Sequence, residues 1–568
     1  EASDAAEKAR SLEPNEPAVL TTLGFILLSL RETQTAVVTF EKVLEVGPTS
    51  GEPYLGLGLA LFRQGRTEEG LRFFQEAVLM EPRVSLFHSY LGKALYQLGR
   101  REDALRSLDR AHLLDPKDPT PELYKGVFQT DLNRPAVAIE ALQRSVTLND
   151  NRAIYRSRLL LDRDLAMRNV NLTRAYLDLG QQERALATGI LALHEDPQSS
   201  SAHLFYGSTI FSLFREARSG LSELLQTRIL QPVNQNTFNT FNDYTSILEQ
   251  PRIQGTAEAT GGNLDSQGGS LSLTGGTTRL AGAHFLNYSR TDGPKSKNSD
   301  ERAWASDAFV KFATSPRSSL LLEFFHFDDR GGDIFLNRRG FTRNDPDLTR
   351  NNHTTFVGLG YQIQTRPENN LLLYAQGQSQ HFRTRDPVPF NLDSTLDQPF
   401  YSLQAAYLHR IMNHQLWIAA EYFGGEPRER LRFPAIPTAS FTDRIQQQFV
   451  SLNFQDVWQV RPDLYLTGAL RYDYARDRII GSELRQNSNL VSPQFGLIWR
   501  LSPDNTIRMA AFRAFQTPNP SRLLPSHVAG FFNTTTVESS ARSWQYNFAW
   551  DADFTPTTFF TLGAFHRD

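Results

Sequence analysis

Side chains that could do chemistry are scattered through this chain of 568 residues, and few stand at chemical spacing. The densest cluster of carboxylates, Asp328-Asp329-Arg330-Gly331-Gly332-Asp333, could hold calcium in a loop but lacks the ligand spacing of an EF-hand. His284, His326 and His409 stand apart from one another and read as ordinary strand residues. Gly261-Gly262, Gly268-Gly269 and Gly275-Gly276 fall where strands end and read as turns. There is no Walker loop, no HExxH, no GxSxG and no dinucleotide fingerprint. Cysteine is absent, which removes disulfides, thiolate metal sites and cysteine nucleophiles. The chain is therefore expected to be no enzyme and to carry neither cofactor nor metal.

A second set of polar residues recurs at alternate positions in the C-terminal half. It comprises Gln376, Glu421, Asn453, Arg471, Asp473, Arg508, Gln545, Asn547 and Asp551. Each lies in a segment of about ten residues whose alternate positions are apolar or aromatic. In Tyr465–Tyr474, Leu466, Leu470, Tyr472 and Tyr474 share one face, and Thr467, Ala469, Arg471 and Asp473 the other. Fifteen such strands run from 252–260 to 558–567. Tight turns such as Met412-Asn413-His414 and Val460-Arg461-Pro462-Asp463 alternate with long loops such as 289–302, 329–353, 380–397, 424–445, 475–489 and 516–540. An apolar face opposite a polar one, with short turns at one end and long loops at the other, predicts an antiparallel transmembrane β-barrel over 252–568. The short turns are then periplasmic. The nine polar residues become candidate lumen residues. They could line a solute path, or form a salt-bridge and hydrogen-bond network that fills a closed barrel. Fifteen is an odd number where single-chain bacterial barrels have even ones, so the chain is read as a fragment truncated at its C-terminus.

The N-terminal half has a different period. Pro14, Pro48, Pro82 and Pro116 are 34 residues apart, and so are Gly24, Gly58, Gly92 and Gly126. Phe40, Phe74, Leu108 and Leu142 keep the same step. This is the tetratricopeptide repeat pattern. Gly and Ala let paired helices approach, Phe or Leu fills the space beneath the next pair, and Pro ends the second helix. Gly65-Arg66, Gly99-Arg100 and Asn133-Arg134 supply the turns. The register breaks at the insertion 155–164 and returns with Ala185, Gly189, Ala192, Pro197 and Gly207. An α-solenoid of about six helix pairs is expected over 1–230, joined to the barrel by a linker at 231–251. Its concave groove should dock a protein partner through Thr21, Phe25, Leu55, Phe62, Ser89, Lys93, Tyr96, Tyr124 and Thr130. A groove filled by the chain itself is the other reading.

Composition narrows the classes further. A net charge of −3 gives no field to steer a polyanion, so no nucleic-acid partner is expected. No apolar run reaches the length a transmembrane helix needs, so a membrane crossing must be made by strands. Beyond residue 230 the only lysines are Lys295, Lys297 and Lys311, and every other basic residue is arginine. The sequence by itself offers no reason for that bias.

Residues 252–568 resemble the barrel of TonB-dependent receptors. The resemblance is carried by Arg508–Phe515, then Pro518, Leu523-Leu524-Pro525 and Gly530-Phe531. The whole chain is also similar to a bacterial family of repeat-plus-barrel proteins, through 155–162, Leu224-Leu225-Gln226, Leu230-Gln231-Pro232 and Phe238–Asn242. TonB-dependent receptors carry a plug of more than a hundred residues before the barrel. Here only about twenty linker residues occupy that place, and no TonB box is visible. The order of parts is closer to secretion porins for cellulose and poly-N-acetylglucosamine. The resemblance implies a bacterial outer-membrane protein, in contact with membrane lipid, with its repeats in the periplasm. The preferred reading is a transport barrel that exports a polysaccharide or other solute. The alternatives are a receptor-like importer closed by other means, and an outer-membrane anchor or adhesin.

Overall fold

The computed structural model describes residues 2–30, 32–151, 161–213, 217–233, 253–277, 279–293, 298–333, 347–366, 368–386, 391–434, 436–481, 485–502, 504–514, 519, 521–533, 543–555 and 558–568. The expected insertion (as far as residue 160), most of the linker and the segment 334–346 of one long loop lie outside these residues.

Among the described residues, thirteen helices come first. After α1 (Ala2–Leu12) they pair as α2 (Pro17–Ser29) with α3 (Thr33–Val46), and α4 (Glu52–Arg63) with α5 (Thr67–Met80). Next are α6 (Ser85–Gln97) with α7 (Arg101–Leu114), and α8 (Pro119–Asp131) with α9 (Pro135–Thr147). Last are α10 (Leu161–Asp178) with α11 (Gln182–Glu195), and α12 (Ser200–Ser212) with α13 (Ala217–Leu230). The turn inside a pair is fixed by a left-handed residue, Gly65 at φ 84° and Asn133 at φ 57°. The following N–H then reaches back, Arg66 to the Leu61 oxygen at 3.0 Å and Arg134 to that of Gln129 at 2.8 Å.

The 34-residue step is a packing rule. A Cβ on Gly24 would lie 2.6 Å from the Phe40 ring, and one on Gly126 would lie 2.4 Å from Leu142. Phe40, Phe74, Leu108 and Leu142 are fully buried as a result. The same close approach corrects the expected groove. Thr21, Leu55, Phe62, Ser89, Lys93, Tyr124 and Thr130 are buried, and only Phe25 and Tyr96 keep partial exposure. Tyr96 stacks on Phe128 at 3.7 Å, and Lys93 donates to the Tyr124 hydroxyl at 3.2 Å. The inner face closes on its own side chains. Where the register broke, buried Arg168 of α10 ties the repeats together. Its Nε donates to Asn149 at 2.9 Å, and its Nη1 donates to the Ser145 hydroxyl and to the Pro119 oxygen at 3.2 Å.

The strands follow in one antiparallel sheet. They are β1 (Ile253–Gly261), β2 (Gln267–Gly276), β3 (Leu280–Thr291), β4 (Glu301–Ser315), β5 (Ser318–Gly331), β6 (Thr349–Ile363), β7 (Asn369–Asp386) and β8 (Leu392–Ile411). Then come β9 (His414–Gly425), β10 (Arg428–Arg432), β11 (Phe441–Arg461), β12 (Leu464–Ile479), β13 (Arg485–Ser502) and β14 (Asn505–Ala514). A small hairpin of β15 (His527–Val528) and β16 (Phe531–Phe532) precedes β17 (Ser543–Thr555) and β18 (Thr558–Arg567). Each main strand pairs with its sequence neighbour, and β1 and β18 end the order. β9 and β10 share one register, with Gly425 opposite Phe400 and Arg428 opposite Asp397. They are one crossing interrupted at Pro427, which has no N–H for the ladder. Among the described residues the sixteen paired strands therefore make fifteen crossings of the sheet.

The crossings are longer than expected at the long-loop end. The expected 398–410 and 446–459 are Leu392–Ile411 and Phe441–Arg461. Above the lipid both faces of a strand meet water, so alternation fades while pairing continues. Within the band the faces separate cleanly. Phe449, Ser451 and Asn453 are buried inside, and Leu452, Phe454 and Leu470 are exposed outside.

The repeat packing generates a first prediction. Phe40→Ala should leave a cavity between the α2–α3 and α4–α5 pairs and destabilise the repeats by about 3–5 kcal/mol. Thermal unfolding followed by helical circular dichroism measures it.

Candidate functional site

Helix α12 has an unusual sequence. From Ser199 to Leu213 it contains no Asp, Glu, Lys or Arg, and it is buried nearly all round. A helix without a polar face must be enclosed, and the barrel encloses it. Ile190 and Leu193 of α11 and Tyr206 and Ile210 of α12 share one buried cluster with Val457, Tyr465, Ile498 and Phe512 of the wall. Leu225, Ile229 and Leu230 of α13 pack with Leu321, Leu372 and Trp417. Gly360 makes room for Ile229, whose Cδ1 would lie 3.3 Å from a Cβ at that position.

Three polar anchors fix this repeat in the short-turn half of the lumen. The first holds the end of α13. Its last carbonyl oxygens carry the negative pole of the helix and have no partners within it. The buried Lys311 ammonium of β4 donates to the oxygens of Arg228 at 3.0 Å, Ile229 at 2.6 Å and Gln231 at 2.5 Å. Arg228 itself pairs with Glu323 at 2.9 Å and with Asp307. The second anchor holds α11. Gln415 donates to the His194 oxygen at 2.5 Å, Tyr465 donates to the Glu195 carboxylate, and Arg184 pairs with Asp553.

The third anchor comes from the long-loop end. After β14 the chain turns into the lumen and meets the helices. Arg522 donates its Nε to Glu421 at 2.5 Å, and its backbone N–H donates to Ser222 of α13 at 3.0 Å. Ser526 donates to Glu223 of α13 at 2.6 Å, and the other oxygen of Glu223 lies 2.5 Å from His203 Nδ1 of α12. Trp417 and Gln404 bind the Leu523 carbonyl and N–H at 3.1 and 2.7 Å. The hairpin β15–β16 turns through Ala529 and Gly530, both at positive φ. A Cβ on Gly530 would stand 2.7 Å from the Arg508 guanidinium.

Of the nine candidate lumen residues, Gln545 is half-buried and the other eight are buried, and they form separate groups. Gln376 and Glu421 are joined by Asn519 of the returning loop, at 2.6 and 2.5 Å. Arg471 donates to Asp473 at 2.9 Å, with Asn453 opposite Arg471 on β11. Arg508 donates to Asp551 at 2.6 Å, and Gln545 to Asn547 at 2.9 Å. They answer one another and the loop, as an internal network does. Arg228, Lys311, Glu223, Ser222 and Arg522 were missed. Two signals pointed to them: the uncharged run Ser199–Leu213, and Lys311, the one lysine among the described residues of the C-terminal half. Among the described residues, no group of three or more His, Cys, Asp or Glu could hold a metal ion, and Asp328, Asp329 and Asp333 do not form one.

Fold and lumen together define an outer-membrane transporter-like β-barrel with a helical-repeat domain. The chain belongs to the TonB dependent receptor-like, beta-barrel family, whose profile matches residues 284–568. Tetratricopeptide repeat profiles match residues 21–85 and 85–118. Barrels of this family are outer-membrane proteins. No curated protein matches the chain. Among solved structures, the alcaligin outer membrane receptor FauA from Bordetella pertussis is 14% identical with a TM-score of 0.42, covering 56% of this chain and 51% of that one. The siderophore receptor PiuA from Acinetobacter baumannii is 10% identical with a TM-score of 0.43, covering 55% and 56%. The Cut9–Hcn1 hetero-tetramer of APC/C is 17% identical with a TM-score of 0.36, covering 42% and 44%. The chain thus spans about half the length of the receptors it matches.

Histidines at the joint give it a pH dependence. Burial pushes His194 down to about 4, against the opposing hydrogen bond to the Ile190 oxygen, and burial also holds His527 well below its ordinary value. Between about pH 6.5 and 4 the unfolded chain takes up protons that the native His194 does not. Stability therefore falls on acidification through that window, by about 3 kcal/mol from His194 alone. His194→Leu should flatten the dependence of the unfolding temperature between pH 7 and 4.5.

Proposed function

We propose that this protein is a gated outer-membrane transport barrel whose last helical repeat is the gate. The repeats lie in the periplasm, and the outer ones dock a protein partner that draws the gate out. The supporting observation is the seat of α12 and α13 inside the barrel wall, held by Lys311 and Arg228 at one end and by the returning loop at the other. A lumen filled in this way has no standing pore. The solute is a polysaccharide or other polar molecule moving outward past the polar inner wall. Receptor-like import through the same gate is the second reading, favoured by family membership of the barrel. A permanent anchor is the third, favoured by the buried ion pairs Arg508–Asp551 and Arg522–Glu421, which neutralise lumen charge within the protein.

The latch is the place to test the gate. Removing one partner of a buried charged contact typically costs about 3–5 kcal/mol, because the other is left unanswered. In planar bilayers the native protein should be silent. The double variant Arg228→Ala, Lys311→Ala should show intermittent openings, and deletion of residues 1–230 should give large steady currents. Steady currents from the native protein would overturn the gate. Silence of the deleted form, with heat-modifiable gel mobility proving a folded barrel, would leave the anchor reading.

A further inference from the structure

The outside of the barrel carries a second pattern, made of the arginines that the sequence left without a reason. Register fixes which way each residue faces. Phe449 and Ser451 of β11 point into the lumen, so Gln448, Gln446 and Arg444 above them point outward. On β12 the outward partners of Gln448 and Gln446 are Arg476 and Arg478, and Arg485 of β13 lies opposite Arg478. On β10, Arg428 lies opposite Arg444, and Arg430 and Arg432 continue the same face. Across β8, Arg383 and Arg385 of β7 complete the row. Nine arginines from five strands thus share one outward face, just above the level where Tyr401, Tyr422 and Tyr474 mark the edge of the lipid-facing band.

Among the described residues, the outward carboxylates on this stretch are few: Asp393, Asp397 and Glu426. They engage Arg383 at 2.9 Å, His381 at 2.6 Å and Arg428 at 3.2 Å. Among the described residues, the guanidinium groups of Arg430, Arg444, Arg476, Arg478 and Arg485 make no ion pair or side-chain hydrogen bond, though four of the five are exposed. The same strands do carry further acids, but on the other face. Glu429 and Asp443 lie directly opposite one another, and Asp477 pairs across to Gln447, all turned inward. Charge is therefore sorted by face, which a salt-bridged rim would not need. Below the row, the lipid-facing surface is dented by a groove of about 660 Å³ between Val357, Gly377, Tyr401 and Gly424, with Gln446 and Gln448 at its rim. Six residues of β7, about 20 Å of strand, separate Gly377 from Arg383. That is the length of an acyl chain.

We infer that this face binds the phosphate groups of an anionic lipid in the outward leaflet, a phosphorylated glycolipid with an acyl chain laid in the groove. Arginine rather than lysine suits the task, because its planar fork meets phosphate oxygens in pairs. The inference rests on the outward orientation of the long loops in the proposed function.

The full chain, reconstituted in phosphatidylethanolamine vesicles, tests it. Adding bis-phosphorylated lipid A should raise the temperature at which heat-modifiable mobility is lost, and fully dephosphorylated lipid A should not. The variant Arg430→Gln, Arg444→Gln, Arg478→Gln should need about tenfold more lipid or worse for the same shift. Arg317→Gln, Arg366→Gln at the short turns should bind as the native protein does. Equal shifts with the dephosphorylated lipid, an unaffected triple variant, an equally affected short-turn variant, or full competition by inorganic phosphate would each overturn the inference. All the substituted side chains are exposed, and the unfolding temperature without the glycolipid reports any loss of fold. Arg444→Gln alone, with a smaller loss, repeats the test in a gentler background. Orientation is read separately, by labelling Ser440→Cys in this cysteine-free chain on whole cells with an impermeant maleimide. Protection of the introduced thiol, with lipid binding intact, would reject the orientation and leave the lipid site.

Discussion

A charge that leaves water has to be answered, and this architecture follows from how Lys311 is answered. Its ammonium is fully buried in the barrel wall, and the groups that satisfy it are the last carbonyl oxygens of α13. Helix end and lysine each remove a problem that the other would have alone. Arg228 repeats the logic with Asp307 and Glu323. Strand and helix thereby specify one another across the lumen, with apolar packing around Ile229 and Leu321 filling in what charge has positioned.

Much of this fold was legible because its rules are local. Gly24 beneath Phe40 and Gly126 beneath Leu142 repeat at 34 residues, since a helix pair must close to the same distance each time. Leu452, Phe454 and Leu470 alternate with Ser451, Asn453 and Arg471 because lipid is on one side of the wall. Pro427 hid inside one crossing without altering the count, since it removes a hydrogen bond but keeps the register. At the expected groove, the burial of Phe62, Lys93 and Tyr124 was not legible, because helix spacing alone does not say how far side chains close over the inner face. The seat of α12 inside the wall was half legible. An uncharged Ser199–Leu213 announces an enclosed helix, but nothing in it names the enclosure. Ser526 and Glu223 are 303 residues apart, and Gln415 and His194 221 apart. Such pairings exist only once the barrel has formed.

Inner and outer faces of the wall solve opposite problems with one set of residues. Inside, arginines are neutralised one by one, as Arg508 is by Asp551 and Arg522 by Glu421. Outside, above the tyrosine girdle, they are gathered, and among the described residues Arg430, Arg444, Arg476, Arg478 and Arg485 are left unanswered by protein. A bias toward arginine over lysine serves both, because the guanidinium tolerates burial and binds bidentately.

The junction at Arg168 has a mechanical side. Helical repeats touch only their neighbours, so a pull on α1 reaches α13 through a series of interfaces, each bearing the same tension. A series yields at its weakest member. Arg168, bonded at once to Asn149, Ser145 and the Pro119 oxygen, reinforces the one place where the repeat spacing fails and the sequence would otherwise part first. With that weak point strengthened, a pull by the proposed partner would pass along the solenoid like load along a rope with a spliced strand. Under the proposed function, work done at the far end would be delivered to the barrel instead of being lost in unravelling.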